Sequence, residues 1–337
     1  MLLSGCPGDP DTSGSACSVD PASTWQVVAT CLEHELLSVW GTGPDDVWTV
    51  GAGGSVLRYS GCSWSRPDVG TDKDLWWVFG FKEGGPVFIT GADGLILRDS
   101  GSGFEAMESG TTATLYGLWG AAPDDVYTVG FDPKGDGASA LLHFDGTTWS
   151  QVADLPVDMA SRPRFFKVWG RATNDVWVVG SDDMVLHWDG SAWSDAATGT
   201  GHDWVTVAGS GDLMVTVGGL SNAALSERQG TSAWSGQAPD FLQVLQGACV
   251  QPDGTALATG LGGTFVRRDA SGWHEDEAAP FDVVNPAVDA CKNPVPDYHS
   301  CFADGQGGYF VVGGNFLGGL TEGVLLHYGP TIPTTGL

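Results

Sequence analysis

Basic residues are scarce in this chain of 337 residues, which has 14 lysines and arginines against 41 aspartates and glutamates and a formal net charge of −27. Such a surface repels nucleic-acid phosphates and anionic lipid headgroups, so neither is an expected partner. The sequence also lacks an apolar stretch long enough to span a bilayer. It lacks the G-x-S-x-G, H-E-x-x-H and Gly-Lys-Ser/Thr signatures of common enzyme sites as well. Hydrophobic residues make up 42% of the chain, which is enough for a packed core.

The amino terminus contains a short lipidation-like motif. Leu3-Ser4-Gly5-Cys6 resembles a bacterial lipobox, although the charged and apolar regions of a secretory signal do not stand before it, so we expect the native start upstream of Met1. Residues 7–15 are polar and rich in proline and glycine, which is typical of a flexible tether. The sequence therefore predicts export and lipidation of Cys6, with the lipid as the only membrane contact. The predicted location is the outer membrane or cell surface, with the periplasm as the alternative.

Seven cysteines are present, and six remain if Cys6 carries a lipid. An even number suits three disulfides, which persist in an oxidising compartment. Cysteine ligation of a metal is disfavoured because the chain has no C-x-x-C pair. The predicted bridges are Cys17–Cys62, Cys31–Cys291 and Cys249–Cys301.

Glycine and tryptophan are abundant, at 51 and 15 residues, and both mark an internal repeat. The clearest copies are 39–51, 118–130 and 168–180, in which V/L-W-G is followed by D-V-W/Y-x-V-G with the two glycines ten positions apart. Each copy continues into an alternating apolar run, a turn and a tryptophan. Short period-2 stretches separated by glycine-rich turns predict antiparallel strands, here four per copy and named A to D. Weaker copies have their second glycine at Gly91, Gly218, Gly260 and Gly313.

The ends of the repeat array decide the fold class. The seventh copy stops at Pro330 without a strand D, whereas residues 22–30 form a strand D with no strands before it. A ring in which the first strand completes the last sheet leaves no open end. The sequence therefore predicts an all-β, seven-bladed β-propeller of four-stranded antiparallel blades, closed by the amino-terminal strand. The predicted divisions are a lipobox remnant and tether at 1–21, a propeller at 22–330 and a tail at 331–337, with blades near 36–70, 75–110, 115–152, 165–196, 204–238, 244–277, and 298–329 plus 22–30.

Over residues 22–329 the sequence resembles exported lipoproteins of myxobacteria and related bacteria that carry tandem V-W-G, D-V-W-x-V-G and H-x-D-G-x-x-W repeats. It is more distantly similar to Asp-box and kelch propellers. This resemblance implies the propeller fold and no specific activity. The stretch 145–149, Asp-Gly-Thr-Thr-Trp, lacks the residue that separates Asp and Gly in an Asp box, which weakens any inference to sialidases.

Several polar residues recur at fixed repeat positions, which favours structural roles for them. The histidines at 143, 187 and 327 share one position with the arginines at 58, 98 and 267. Aspartates and asparagines at 45–46, 124–125 and 174–175 stand in the A–B turn, where such side chains bind backbone amides. Calcium at these turns is the alternative, although no EF-hand loop is present. No other cofactor or metal is expected.

The regularity of the repeat is broken on one side of the predicted ring. In an antiparallel meander the D–A and B–C connections lie on one face, which we call the long-loop face, and the A–B and C–D turns lie on the other, the short-turn face. The four insertions, 131–139, 151–164, 279–297 and 314–323, all fall on the long-loop face. Loops displayed on a rigid scaffold often carry function, and neutral drift of loop length is the alternative.

We therefore expect ligand contacts near the channel mouth on the long-loop face, while some of the strand A residues could instead be core. The candidate residues are Trp77, Tyr116, Phe166, His202, Trp204, Phe241, Phe281, Lys292, Tyr298, His299, Asn315 and Phe316.

The sequence favours a non-enzymatic, lipid-anchored propeller that binds a protein or a glycan through this face. A structural subunit of a cell-surface assembly is the third possibility, and the oligomeric state is left open. The second possibility is a glycan-cleaving enzyme with acidic residues around the funnel. The acids considered are Glu33, Glu35, Asp72, Asp74, Asp158, Asp203, Asp282 and Asp297.

Overall fold

The computed structural model of the protein describes residues 24–82, 84–135, 137–161, 163–240, 242–280 and 295–337. These ranges contain 27 strands and three short 3₁₀ helices, and they contain no α-helix. The strands are β1 Thr24–His34, β2 Leu36–Gly43, β3 Asp46–Gly51, β4 Val56–Tyr59, β5 Trp64–Ser65, β6 Leu75–Gly80, β7 Val87–Gly91, β8 Ile96–Asp99, β9 Phe104–Met107, β10 Thr114–Ala122, β11 Asp125–Phe131, β12 Ser139–Phe144, β13 Trp149–Gln151, β14 Phe165–Ala172, β15 Asp175–Gly180, β16 Val185–Trp188, β17 Trp193–Asp195, β18 Trp204–Ser210, β19 Leu213–Gly218, β20 Ala224–Gln229, β21 Leu245–Val250, β22 Ala256–Gly260, β23 Phe265–Asp269, β24 Gly272–Glu275, β25 Asp297–Ala303, β26 Tyr309–Asn315 and β27 Thr321–Gly329. The 3₁₀ helices are η1 Ala52–Gly54, η2 Met159–Ser161 and η3 Leu261–Gly263.

The strands form seven separate antiparallel meanders, and the predicted seven-bladed β-propeller is confirmed. Blades one to four are β2–β5, β6–β9, β10–β13 and β14–β17, and blade six is β21–β24. The A strands of neighbouring blades contact one another around the ring, which makes A the innermost strand. The meander order also places all D–A and B–C connections on one face.

Blade five departs from the predicted four strands. Its sheet contains only β18, β19 and β20, and the expected strand D is reduced to one bridge between Glu227 and Ser235. The next residue, Gly236, has a φ of 111°, a left-handed conformation that turns the chain away from the sheet. Pro239 has no N–H to donate to a ladder. The segment after Ser235 therefore runs irregularly across the long-loop face.

Blade seven is closed as predicted. Its sheet order is β1-β27-β26-β25, so the amino-terminal strand is the outer strand of the last blade. The pairing is antiparallel and extends from Thr24 opposite Gly329 to His34 opposite Thr321. Trp25 then packs on the ring of Phe265 in blade six, with 5.1 Å between the ring centroids. Strand β1 therefore completes the sheet of blade seven and also joins blade seven to blade six.

Residues 331–337, which were predicted as a tail, also pack beside β1, where the ring closes. Gln26 of β1 forms two hydrogen bonds with Ile332, donating to its carbonyl and accepting from its N–H, at 3.0 and 2.9 Å. Trp64 of β5 donates its backbone N–H to Thr335 and its indole N–H to Pro333. Residues after Pro330 therefore tie the outer strand of blade seven to the outer strand of blade one.

The recurring aromatic, histidine and aspartate residues form one repeated packing unit. In blade four, His187 stacks on Trp177 at 3.9 Å, and both side chains hydrogen-bond to Asp175, at 2.8 and 2.6 Å. In blade one an arginine takes the place of the histidine, with Arg58 lying 4.7 Å over the Trp48 ring. A flat polar group on strand C thus covers the strand B aromatic and reaches the A–B turn. His143 has the same contacts in blade three, with Tyr127 and Asp125.

Strand D aromatics act as wedges between neighbouring blades. Phe104 of blade two meets Trp48 of blade one edge-on at 5.9 Å, and Trp193 of blade four meets Tyr127 of blade three at 6.2 Å. Such edge-to-face pairs add to the burial of apolar area. The repeated tryptophans therefore hold adjacent sheets together.

The disulfide Cys249–Cys301 joins β21 of blade six to β25 of blade seven, with 5.7 Å between the Cα atoms, as predicted. Cys31 and Cys62 are also disulfide-bonded. The partners predicted for them, Cys17 and Cys291, lie outside the described residues, as does Cys6. Within the part of the chain that the structure describes, no helix is long and apolar enough to cross a bilayer.

Candidate functional site

Every innermost strand has a β-bulge at the same position, near the long-loop face. A bulge leaves one residue unpaired and re-aims its side chain. Because A is the innermost strand, each bulge lies beside the channel and leaves one residue per blade unpaired there. These residues, from blade one to blade seven, are Leu37, Trp76, Tyr116, Phe166, Val205, Gln246 and His299.

The residue just before each bulge belongs to the core between blades. None of these residues is more than 1% exposed. They are Leu36, Leu75, Leu115, Phe165, Trp204, Leu245 and Tyr298.

Three of the predicted mouth residues are therefore placed differently from the prediction. Trp204 and Tyr298 were expected at the mouth but are fully buried at the position before the bulge. The Trp204 indole donates to Asp183 at 2.8 Å. Trp77 follows the bulge and is half-buried, with the ammonium of Lys167 4.3 Å from its ring centroid. The channel residue of blade two is its neighbour Trp76, which sequence reasoning missed.

Half-buried aromatic rings from four blades form a continuous row on this side of the channel. Phe166 packs on Phe131 at 5.8 Å, Phe131 on Tyr116 at 5.1 Å, and Tyr116 on Trp76 at 4.8 Å. Trp76 then contacts Phe316 of blade seven at 6.3 Å, passing over blade one. We call these five rings the aromatic arc. One end of the arc, Phe166, stands near the start of strand A in blade four. The other end, Phe316, belongs to the insertion 314–323 on the long-loop face.

Large exposed apolar side chains also concentrate on the long-loop face. The described residues include four such side chains, namely Val27, Met159, Leu220 and Leu317. All except Val27 lie in B–C or D–A loops. Leu317, next to Phe316 in the arc, is 77% exposed. The long-loop face therefore presents uncovered apolar surface beside the arc.

The remaining candidates occupy several environments. His202 is exposed, and its ring lies 6.0 Å from that of Trp204. Asn315 is half-buried, and its carbonyl accepts hydrogen bonds from the N–H groups of Gly318 and Leu320, which shapes the insertion. Phe241, Phe281 and Lys292 lie outside the described residues.

Three of the candidate acids have a structural role that recurs between blades. Asp74, Asp203 and Asp297 stand at the start of strand A and each accepts the N–H of a B–C turn in the preceding blade. The donors are Gly53 at 3.0 Å, Asp182 at 2.9 Å and Gly262 at 2.8 Å. These carboxylates therefore join neighbouring blades.

Glu35 occupies the same repeat position but has no such partner. The preceding blade has the long insertion as its B–C connection, and no hydrogen bond within the described residues reaches either carboxyl oxygen of Glu35. The side chain is fully buried over Gly314, where an added Cβ would lie 2.9 Å from the Glu35 Cγ. Burial, and secondly the charge of Asp297, raises the pKa of Glu35 to about 9. The group is therefore a neutral acid at pH 7.

The other candidate acids show no comparable burial. Glu33 and Asp72 are exposed, and Asp158 is exposed while accepting the N–H of Ala160 at 2.9 Å. Asp282 lies outside the described residues. Within the described ranges, no group of three His, Cys, Asp or Glu side chains could hold a metal ion.

Two buried bases lie beside the arc. Lys167 is 3% exposed and donates to the Tyr116 carbonyl at 2.7 Å, and burial lowers its pKa to about 7. His299 donates from Nδ1 to the Leu37 carbonyl at 2.6 Å. Burial, followed by the charge of Lys167, lowers the pKa of His299 to about 3. His299 is therefore neutral and links blade seven to blade one.

No protein-family model and no curated protein matches the sequence. Solved propellers match it in structure at low identity. YCF48 bound to D1 peptide has a TM-score of 0.65 at 13% identity, over 91% of this chain and 97% of that chain. YCF48 from Cyanidioschyzon merolae has a TM-score of 0.66 at 15% identity, over 91% and 99% of the two chains. The WD40 beta propeller domain of Doa1 has a TM-score of 0.63 at 13% identity, over 90% and 96%. At such identities the likeness supports the propeller fold.

Proposed function

We propose that this protein is a non-enzymatic propeller that binds a segment of another protein on its long-loop face. The aromatic arc is the central contact, and the insertion around Phe316 and Leu317 forms its edge.

The arc is the observation that carries this proposal. Protein interfaces are enriched in aromatic anchors, and exposed contiguous apolar surface on a soluble domain marks an interaction site. In the arc each ring is already packed on its neighbour and is only half-buried. Such rings lose little side-chain freedom on binding, so more of the contact energy remains as affinity.

A protein ligand is favoured over a glycan by the structural neighbours. YCF48, a propeller of the same architecture, is bound to D1 peptide. A propeller can therefore hold a peptide.

Binding is proposed in preference to glycan cleavage. A glycosidase needs two carboxyl groups placed on either side of the scissile bond. Asp74, Asp203 and Asp297 are committed to backbone N–H groups, and Glu35 is sealed from solvent. Four of the eight acids that the enzyme hypothesis considers thus have structural environments in this fold.

The binding proposal predicts that selection of a displayed peptide library on the immobilised protein will enrich a set of binding peptides. The enriched peptides should bind the wild type and lose at least about tenfold in affinity for the double variant Phe316→Ala/Leu317→Ser, because an aromatic hot spot contributes about 2 kcal/mol or more and about 1.4 kcal/mol is a tenfold change. Fluorescence anisotropy of labelled peptides gives both affinities.

The matched control is Leu220→Ser, which removes a similarly exposed apolar side chain of the same face, in blade five and outside the aromatic arc. Peptides that bind both variants as well as the wild type would contradict an arc-centred site. Binding to a glycan array in place of peptides would contradict the choice of ligand class.

We further propose that the protein is exported and anchored by a lipid on Cys6, as the resemblance to bacterial lipoproteins implies. The disulfide between Cys249 and Cys301 supports an oxidising location. With a secretory signal placed before Leu3 in a bacterial host, labelled palmitate should be incorporated by the wild type and by Cys17→Ala, but not by Cys6→Ala. Incorporation that survives in Cys6→Ala would disprove lipidation at this residue.

A further inference from the structure

A groove follows the irregular segment of blade five on the long-loop face. It consists of three adjoining cavities of about 880, 410 and 310 Å³. The first two share the segment Gln237–Asp240, the first and third share Glu275–Glu277, and the second and third share Leu242. We call these three neighbouring cavities together the blade five–six groove. It exists because blade five has no regular strand D to occupy the space beside blade six.

The lining combines apolar walls with carboxylates at the rim. The apolar part comes from Ala238, Pro239, Leu242, Trp273 and Ala279. The described lining includes no lysine and no arginine. Its carboxylates are Asp240, Glu275, Asp276 and Glu277.

Three of these four carboxylates are electrostatically uncompensated. Asp276 accepts from the Arg267 guanidinium at 2.7 and 2.9 Å and is almost completely covered. Asp240, Glu275 and Glu277 are exposed and form no ion pair within the described ranges. Charges that face a concave, partly apolar space are screened less than charges on an open surface. The groove therefore favours a cationic occupant.

The shape of the groove suits an extended chain. The residues Trp273–Glu275 that line it belong to β24, the outer strand of blade six, so the groove runs along a sheet edge. An extended segment can lie along such an edge. It can place an apolar side chain beside Trp273 or Pro239 and a basic side chain beside Glu275.

We propose that the blade five–six groove binds an extended segment of a partner protein that contains both apolar residues and lysines or arginines. This inference rests on the proposed function, since it assigns a chemical character to the partner bound on the same face. The aromatic arc supplies apolar contact, and the groove selects for positive charge.

The test uses two acetylated peptides, one alternating lysine with valine and one alternating glutamate with valine. The lysine peptide should bind the wild type and the glutamate peptide should not. The triple variant Asp240→Asn/Glu275→Gln/Glu277→Gln should bind the lysine peptide about tenfold more weakly at low salt, since each exposed pair contributes modestly. The difference should shrink as salt screens the charges.

A matched control separates the groove from general acidity. The variant Glu105→Gln/Glu108→Gln/Asp212→Asn removes the same formal charge at exposed positions away from the groove. An equal loss of affinity in this control, or unchanged binding in the groove variant, would overturn the proposal.

Two further outcomes would assign the groove to another occupant and would also overturn the proposal. Tighter peptide binding after replacement of 283–293 by a Gly/Ser linker would assign it to this chain's own segment, which lies outside the described residues. A dimer in light scattering that dissociates in the groove variant would assign it to a second copy. Failure of the groove test leaves the library test of the arc unaffected, so the two proposals fail separately.

Discussion

Removal of residues 1–30 is expected to unfold the propeller at ambient temperature or to lower its melting temperature by tens of degrees. The deletion takes away most of β1, including Trp25 and Val28, and leaves the edge of β27 unpaired. Burying one large apolar side chain contributes about 1.5–3 kcal/mol, and the opened ring also loses the seam contacts of Gln26. The sum approaches the whole net stability of a typical domain, about 5–15 kcal/mol.

Thermal unfolding followed by circular dichroism measures this effect. Removal of residues 1–16, which spares both β1 and Cys17, is the control and should leave the transition unchanged. A synthetic peptide of residues 22–34 added to the shortened protein should restore part of the lost stability. An unaltered melting temperature after the longer deletion would show that strand closure is dispensable.

Glu35→Gln is expected to stabilise the protein increasingly as the pH rises from about 5 to 9. The folded-state pKa of Glu35, about 9, lies above its ordinary value of 4.5. Between these values the folded protein keeps a proton that the unfolded chain releases, so the free energy of unfolding falls by up to about 1.4 kcal/mol per pH unit. Glutamine cannot ionise, so this fall disappears in the variant.

Urea denaturation of both proteins at several pH values gives the difference directly. Lys167 has the opposite effect, because its pKa is lowered to about 7 and the unfolded chain holds the extra proton above that pH. The free energy of unfolding of the wild type therefore changes with pH through two opposing contributions. The difference in this free energy between the variant and the wild type isolates the contribution of Glu35. The control is the exposed neighbour Glu33→Gln. If the free energies of unfolding of Glu35→Gln and the wild type differ by the same amount at every pH, Glu35 is ionised in the folded protein.

Blade number and ring closure could be predicted from the sequence because strands have a period of two and each blade repeats the same turns. The bulges could not be found in this way. An unpaired residue in a strand shifts by one position which side chains face inward and which face outward. For this reason the sequence predicted Trp77 at the mouth in place of Trp76. The same shift misplaced Trp204 and Tyr298. Comparing the copies, the channel residue directly follows a recurring large apolar residue such as Leu75, Leu115 or Phe165, a signal visible only once the bulge is known.

Other features depend on contacts between distant parts of the chain. The sequence places Glu35 before strand A in the same way as Asp74, and only the packing of the blade seven insertion shows that its carboxyl has no partner. The loss of strand D in blade five is also non-obvious, since Trp234 occupies the expected position and the chain departs only at Gly236.

The closure of blade seven also fixes the face on which both ends of the described chain lie. Thr24 pairs with Gly329 at the end of strand C, and so lies on the short-turn face. The last residues lie beside Trp64, at the start of another strand D on that same face. Both ends of the described chain are thus on the face opposite the aromatic arc. Any group attached at Thr24 therefore joins the propeller away from the proposed binding site.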